Sequence, residues 1–120
     1  MKLTSFLAVA AGGAVGAVLR YLISLIPFRG DLPAATLLTN LIGAVAIGFI
    51  AGFAAWGRGG KNLILFFKTG VCGGFTTFST FSLETAQLIK SGSIGVAVLY
   101  VVLSILLGVT AAMLPEILAK

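Results

Sequence analysis

Apolar residues run through this chain in four long stretches, Thr4–Ile26, Pro33–Trp56, Asn62–Ile89 and Ile94–Ala119. Each is as long as the about 20 helical residues that cross a bilayer. The connectors are short and hold the helix breakers. PFRGDLP brings Pro27, Gly30 and Pro33, GRGGKN brings Gly57, Gly59 and Gly60, and KSGS closes the third stretch. The pattern predicts an all-α membrane protein, a single domain over 1–120 with four transmembrane helices.

Composition removes the soluble alternative. Of 120 residues, 59% are hydrophobic and 9% charged, and the mean hydropathy is +1.17. Three acids and eight bases cannot coat a globule of this size in water, so lipid is the outer solvent. Lys2 followed by FLAVAAGGAVGAVL has the look of a secretory leader, but removing it would leave three more apolar runs and there is no small-x-small cleavage site after it. Cys72 is the only cysteine and histidine is absent. The commonest bases, nucleophiles and soft-metal ligands are therefore missing, which disfavours an enzyme.

Charge placement says less. Lys2, Arg58, Lys61 and Lys120 fall on one side of four spans, and Arg29 and Lys90 on the other. That bias fits a chain inserting both ways up, and equally one with a modest orientation preference. Small residues at helical spacing, Gly12 with Gly16, Ala44 with Gly48 and Gly52, and Gly108 with Ala112, let helices approach closely. Ordinary packing accounts for them, and so does dimerisation. Four such helices have little width for an enclosed polar path, so a transport role implies an oligomer.

The third stretch carries the chemistry. Lys68 and Glu84 lie about 24 Å apart along a helix at 1.5 Å per residue, which puts Thr76 near the membrane midplane if each charge reaches its own interface. There Gly73 and Gly74 either break the helix, freeing carbonyls that suit a small hard cation such as Na⁺, or simply admit a neighbouring helix. After them Phe75, Phe78 and Phe81 recur every third residue with Thr76, Thr77, Ser79, Thr80 and Ser82 between. On a continuous helix the rings form one slanting ridge flanked by hydroxyls. Hydroxyls bonded back to their own carbonyls and rings facing lipid explain each residue singly. A desolvated anion explains their density, because hydroxyls and the positive edges of aromatic rings attract it weakly enough to let it leave. Asn40 adds an amide in the second span, as donor or as interhelical glue. Arg20 can snorkel or draw anions to a mouth, and Tyr100 places a hydroxyl in the fourth span.

GGAVGAVLRY (Gly12–Tyr21), TLLTNLIG (Thr36–Gly43) and GVCGGFTTFSTFSLE (Gly70–Glu84) together resemble the Fluc family of microbial fluoride channels, also called the CrcB family. The resemblance covers nearly the whole chain. It implies four transmembrane helices with a break in the third, an antiparallel dual-topology homodimer, and passive export of F⁻ across the bacterial or archaeal inner membrane. It also implies a structural Na⁺ at the dimer interface, held by the carbonyls of Gly73 and Thr76. Asn40 then matches the pore amide, Phe78 and Phe81 the rings whose edges face the ion, Ser79 and Thr80 the polar track, and Arg20 the first-span arginine that serves anion entry. Glu84 matches the acidic end of the third span, and Tyr100 a pore tyrosine. One position departs from the family: where a serine often follows the glycine matching Gly108, this chain has Val109, leaving Thr110 or Ser104 to supply the hydroxyl. The runner-up is a small multidrug-type, proton-coupled exporter of cationic compounds, which shares length and span count but uses a first-span glutamate that this chain lacks.

Overall fold

The computed structural model describes residues 2–118. The expected end of the fourth span at Ala119 and the charge of Lys120 lie outside the described residues. Among the described residues every regular element is helical. Helix α1 spans Leu3–Ser24 and α2 spans Ala34–Ala55, joined by a loop in which Gly30 takes φ +95°. Pro33 precedes the first residue of α2, where its missing N–H is no loss. After α2, Gly57 and Gly59 take φ +71° and +80°, left-handed values that favour glycine, and reverse the chain.

The third stretch begins with α3 (Lys61–Ile64), widens into a π-helical segment (Leu65–Cys72) and ends in one α turn, α4 (Gly73–Phe75). Thr76 (φ −82°, ψ 155°) and Thr77 (φ −149°, ψ 117°) are extended. Helix α5 (Phe78–Lys90) then starts afresh, with the Thr77 hydroxyl capping it by accepting from the Thr80 N–H at 3.0 Å. A turn at Gly92 leads to α6 (Ile94–Leu118). Gly73 is itself helical, at φ −63° and ψ −38°, so the extended residues follow the glycine pair rather than coincide with it.

Packing gives the small residues different duties. A methyl on Gly70 would come within 2.8 Å of the Gly12 Cα, and one on Gly74 within 2.5 Å of the Gly13 carbonyl oxygen. The backbones of α1 and the π-helical segment thus lie almost in contact, which only glycine permits. Gly48 meets the Ala112 backbone where α2 crosses α6, while Gly52 and Gly108 have open space within the chain. Gly74 therefore does what a neighbouring helix demands, and Gly73, also open, does not. Few side chains are fully enclosed, chiefly Cys72, Phe75, Ala97, Tyr100 and Thr39. Large apolar residues such as Leu7, Leu22, Phe53 and Leu106 stand exposed along the helices, as they do where hydrocarbon replaces water. Helices α1, α2 and α6 are long and apolar enough to cross a membrane, and the molecule's longest extent is 48 Å, matching a bilayer of about 40–45 Å with its headgroups.

Candidate functional site

Extended backbone in an apolar surrounding leaves N–H and C=O groups that need partners. The Asn40 side chain, reaching across from α2, supplies both for Thr77: its Oδ1 accepts from the Thr77 N–H at 2.8 Å and its Nδ2 donates to the Thr77 carbonyl at 3.1 Å. The amide imitates a strand partner. One Nδ2 hydrogen remains for another acceptor.

That bridge has a consequence one helical turn back. In an uninterrupted helix the Thr77 N–H would bond the Gly73 carbonyl and the Thr80 N–H would bond the Thr76 carbonyl. Here the first goes to Asn40 and the second to the Thr77 hydroxyl, so Gly73 and Thr76 keep carbonyls without their helical donors. Gly74 is served otherwise: the Arg20 guanidinium, on α1, donates through Nε to its carbonyl at 3.3 Å. Arg20 thus turns inward to the end of α4 rather than out to the membrane surface. The Thr76 hydroxyl bonds back to the Cys72 carbonyl at 2.8 Å, and Thr110 does the same to Leu106 at 2.7 Å.

Beside the extended residues lies a groove of about 420 Å³, bounded by α2, α5 and α6. Asn40, Gly73, Thr76 and Thr77 line its floor, with Phe78, Phe81 and Ser104 on its walls. Phe78 is 79% exposed and tilts 43° to Phe81 with ring centroids 5.8 Å apart, and Phe81 stands 5.0 Å from Tyr100. The ridge expected of Phe75, Phe78 and Phe81 does not form. Phe75 belongs to α4 and is buried, because the two extended residues rotate α5 away from it. Ser79 lies within 3.3 Å of the Thr77 hydroxyl, on the exposed side, and Thr80 is half-buried.

Two polar features concern the fourth span, and the sequence leaves the first of them open between Ser104 and Thr110. Ser104 is among the residues lining the groove, and its Oγ is buried with no hydrogen-bond partner among the described residues, whereas Thr110 is exposed and satisfied by its own helix. Glu84 accepts from the Tyr100 hydroxyl at 2.9 Å and from Thr36 at 3.1 Å, joining α5, α6 and α2. Tyr100 is fully buried there. A signal existed for this link: Glu84 and Tyr100 each lie eight residues from the turn glycine Gly92, and an antiparallel helical hairpin sets such residues level.

Helices of this length and hydropathy, with a polar groove set among them, define a multi-pass membrane protein. The chain belongs to the CrcB-like protein, Camphor Resistance (CrcB), family, whose model matches residues 7–115. Among curated relatives, a Fluoride-specific ion channel FluC from Roseobacter denitrificans is 48% identical over 110 residues, covering 88% of this chain and 86% of the relative. Another from Novosphingobium aromaticivorans is 43% identical and covers 92% and 90%. Fluoride-specific ion channel FluC 2 of Bacillus subtilis is 45% identical and covers 95% and 85%.

Proposed function

We propose that this protein is a fluoride-selective channel through which F⁻ leaves the cell down its electrochemical gradient. The observation that carries the reading beyond family membership is the groove beside Thr76 and Thr77. It combines the spare amide hydrogen of Asn40, the unpartnered Ser104 hydroxyl and the rings of Phe78 and Phe81. A small anion leaving water needs several weak donors rather than one fixed cation, since conduction requires that it also depart. Hydroxyl, amide and ring edge are such donors. The only arginine of α1, Arg20, is held on the Gly74 carbonyl, which keeps its charge near the groove's end without placing it in the path. Fluoride enters cells as neutral HF in acid surroundings and dissociates inside, so a passive path for the anion protects the cell without an energy source.

Three finer features belong to the same proposal. The third membrane span is discontinuous: α3, the π-helical segment and α4 enter from one face, α5 leaves by the other, and the break at Thr76–Thr77 sits at the midplane. The groove's open side, where Phe78 is exposed and Gly73 has no neighbour, is closed by a second copy inserted the opposite way up, making an antiparallel homodimer in the inner membrane. The carbonyls of Gly73 and Thr76, stripped of their helical donors, fit a hard monovalent cation, and together with those of the second copy they would hold Na⁺ as a structural ion. Its role there is to balance carbonyl dipoles gathered in low dielectric.

Nothing favours the proton-coupled exporter. Glu84, the acid of the third stretch, has both oxygens engaged by Tyr100 and Thr36. The test is efflux from liposomes at clamped voltage, read with ion-selective electrodes. F⁻ is expected to leave while Cl⁻ stays, and comparable Cl⁻ release would end the selectivity claim.

A further inference from the structure

A second groove, of about 400 Å³, lies apart from the ion path, where the end of α2 meets the start of the third stretch. Phe49, Ile50 and Phe53 of α2 form one wall and Leu63, Ile64 and Phe67 the other, with Arg58 and Gly59 at the mouth. At 100° per residue these α2 positions point roughly 120° away from Asn40, Gly43, Ala44 and Ile47, which face the first groove. The second groove therefore opens on a different side of the molecule from the one the proposed second copy covers.

Its charge is one-sided. Arg58 lines the mouth and Lys61 opens α3 three residues on, whereas the chain's three acids, Asp31, Glu84 and Glu116, contribute nothing to the lining. Gly57 and Gly59, both left-handed, fix the loop that carries Arg58, and its N–H is tied to the Phe53 carbonyl at 3.1 Å. Trp56, 71% exposed at the end of α2, marks the level of the membrane interface, where tryptophan concentrates. An aromatic and aliphatic slot below the interface, with a guanidinium at its mouth and a lysine three residues on in the chain, matches one kind of molecule: an acyl chain under an anionic phosphate.

We propose that this groove binds an anionic glycerophospholipid of the adjoining leaflet, its acyl chain between Phe53 and Phe67 and its phosphate at Arg58 and Lys61. Trp56 is the only tryptophan in the chain, and its ring lies 6.3 Å from that of Phe53 in the groove wall, close enough to report a quencher held there. The full-length protein is reconstituted in phosphatidylcholine vesicles containing a minor fraction of phosphatidylglycerol, with brominated acyl chains on one lipid or the other. Brominated phosphatidylglycerol is expected to quench Trp56 at a lower mole fraction than brominated phosphatidylcholine, by about five-fold for each basic residue engaged. The double variant Arg58→Gln, Lys61→Gln should abolish that preference, Arg58→Lys should retain it, and Lys90→Gln, at the opposite end, should leave it unchanged. Free inorganic phosphate added to the vesicles should not compete. Equal quenching by both lipids in the unaltered protein, or a preference that survives the double variant, overturns the proposal. So does protection of Trp56 from both lipids, which would mean that protein covers the groove.

Discussion

Asn40→Ala tests whether the amide is the partner that makes two extended residues tolerable in hydrocarbon. The substitution removes the acceptor 2.8 Å from the Thr77 N–H and the donor 3.1 Å from its carbonyl. Each stranded backbone group costs about 1–3 kcal/mol when buried, so the pair sets an upper range of about 2–6 kcal/mol. Water can reach part of this loss, because Asn40 and Thr77 both line a groove of about 420 Å³. The lower part of the range, about 2–3 kcal/mol, then applies. That corresponds to about a 30- to 150-fold rise in local opening, at 1.4 kcal/mol per decade. Hydrogen exchange of the Thr77 and Thr80 amides in bicelles reads it directly: both should lose protection by about that factor while α1 and the π-helical segment hold theirs. Fluoride efflux should fall in parallel, since the floor of the path is no longer fixed. Unchanged protection at Thr77 would refute the bridging role, and intact efflux with lost protection would detach the bridge from conduction.

Phe81→Ile removes ring contacts to Phe78 at 5.8 Å and Tyr100 at 5.0 Å; fluoride flux should drop about ten-fold or more, for loss of the ring edges, with the chromatographic elution of the unaltered protein retained. Ser104→Ala deletes a buried hydroxyl that has no partner, so thermal stability should hold or rise by about 1 kcal/mol while flux falls; unaltered flux would remove Ser104 from the path. Gly74→Ala would drive a methyl to 2.5 Å from the Gly13 carbonyl oxygen and should destabilise the fold by about 1–3 kcal/mol, whereas Gly73→Ala meets nothing within its own chain, so it should leave the fold of the single chain intact and, on the proposed closure of the groove by a second copy, weaken only the association of the two copies.

The helices α1, α2 and α6 were legible because each is one uninterrupted apolar run, and their neighbours contribute packing rather than shape. The third stretch was not, and the reason is physical. Gly73 and Gly74 were the visible weak point, each about 1 kcal/mol poorer than alanine in a helix, yet both stay helical or packed. The chain departs from helix only after Phe75, where Asn40 offers the Thr77 backbone a better pair of bonds than the helix would. That partner is 37 residues away, and no local propensity can announce it. A still longer separation, 54 residues, hid the fate of Arg20. An arginine near a span's end reads as a snorkelling charge, but the carbonyl of Gly74 lost its helical donor to the extended residues and Arg20 supplied one. The Thr-Phe alternation was legible as composition and not as geometry: on one helix its rings would share a ridge, and two extended residues suffice to bury Phe75 and leave Phe78 exposed. A motif's spacing therefore predicts a face only while its backbone stays in one conformation, and in this protein the departure is met by bonds from Asn40 and Arg20, side chains on two other helices.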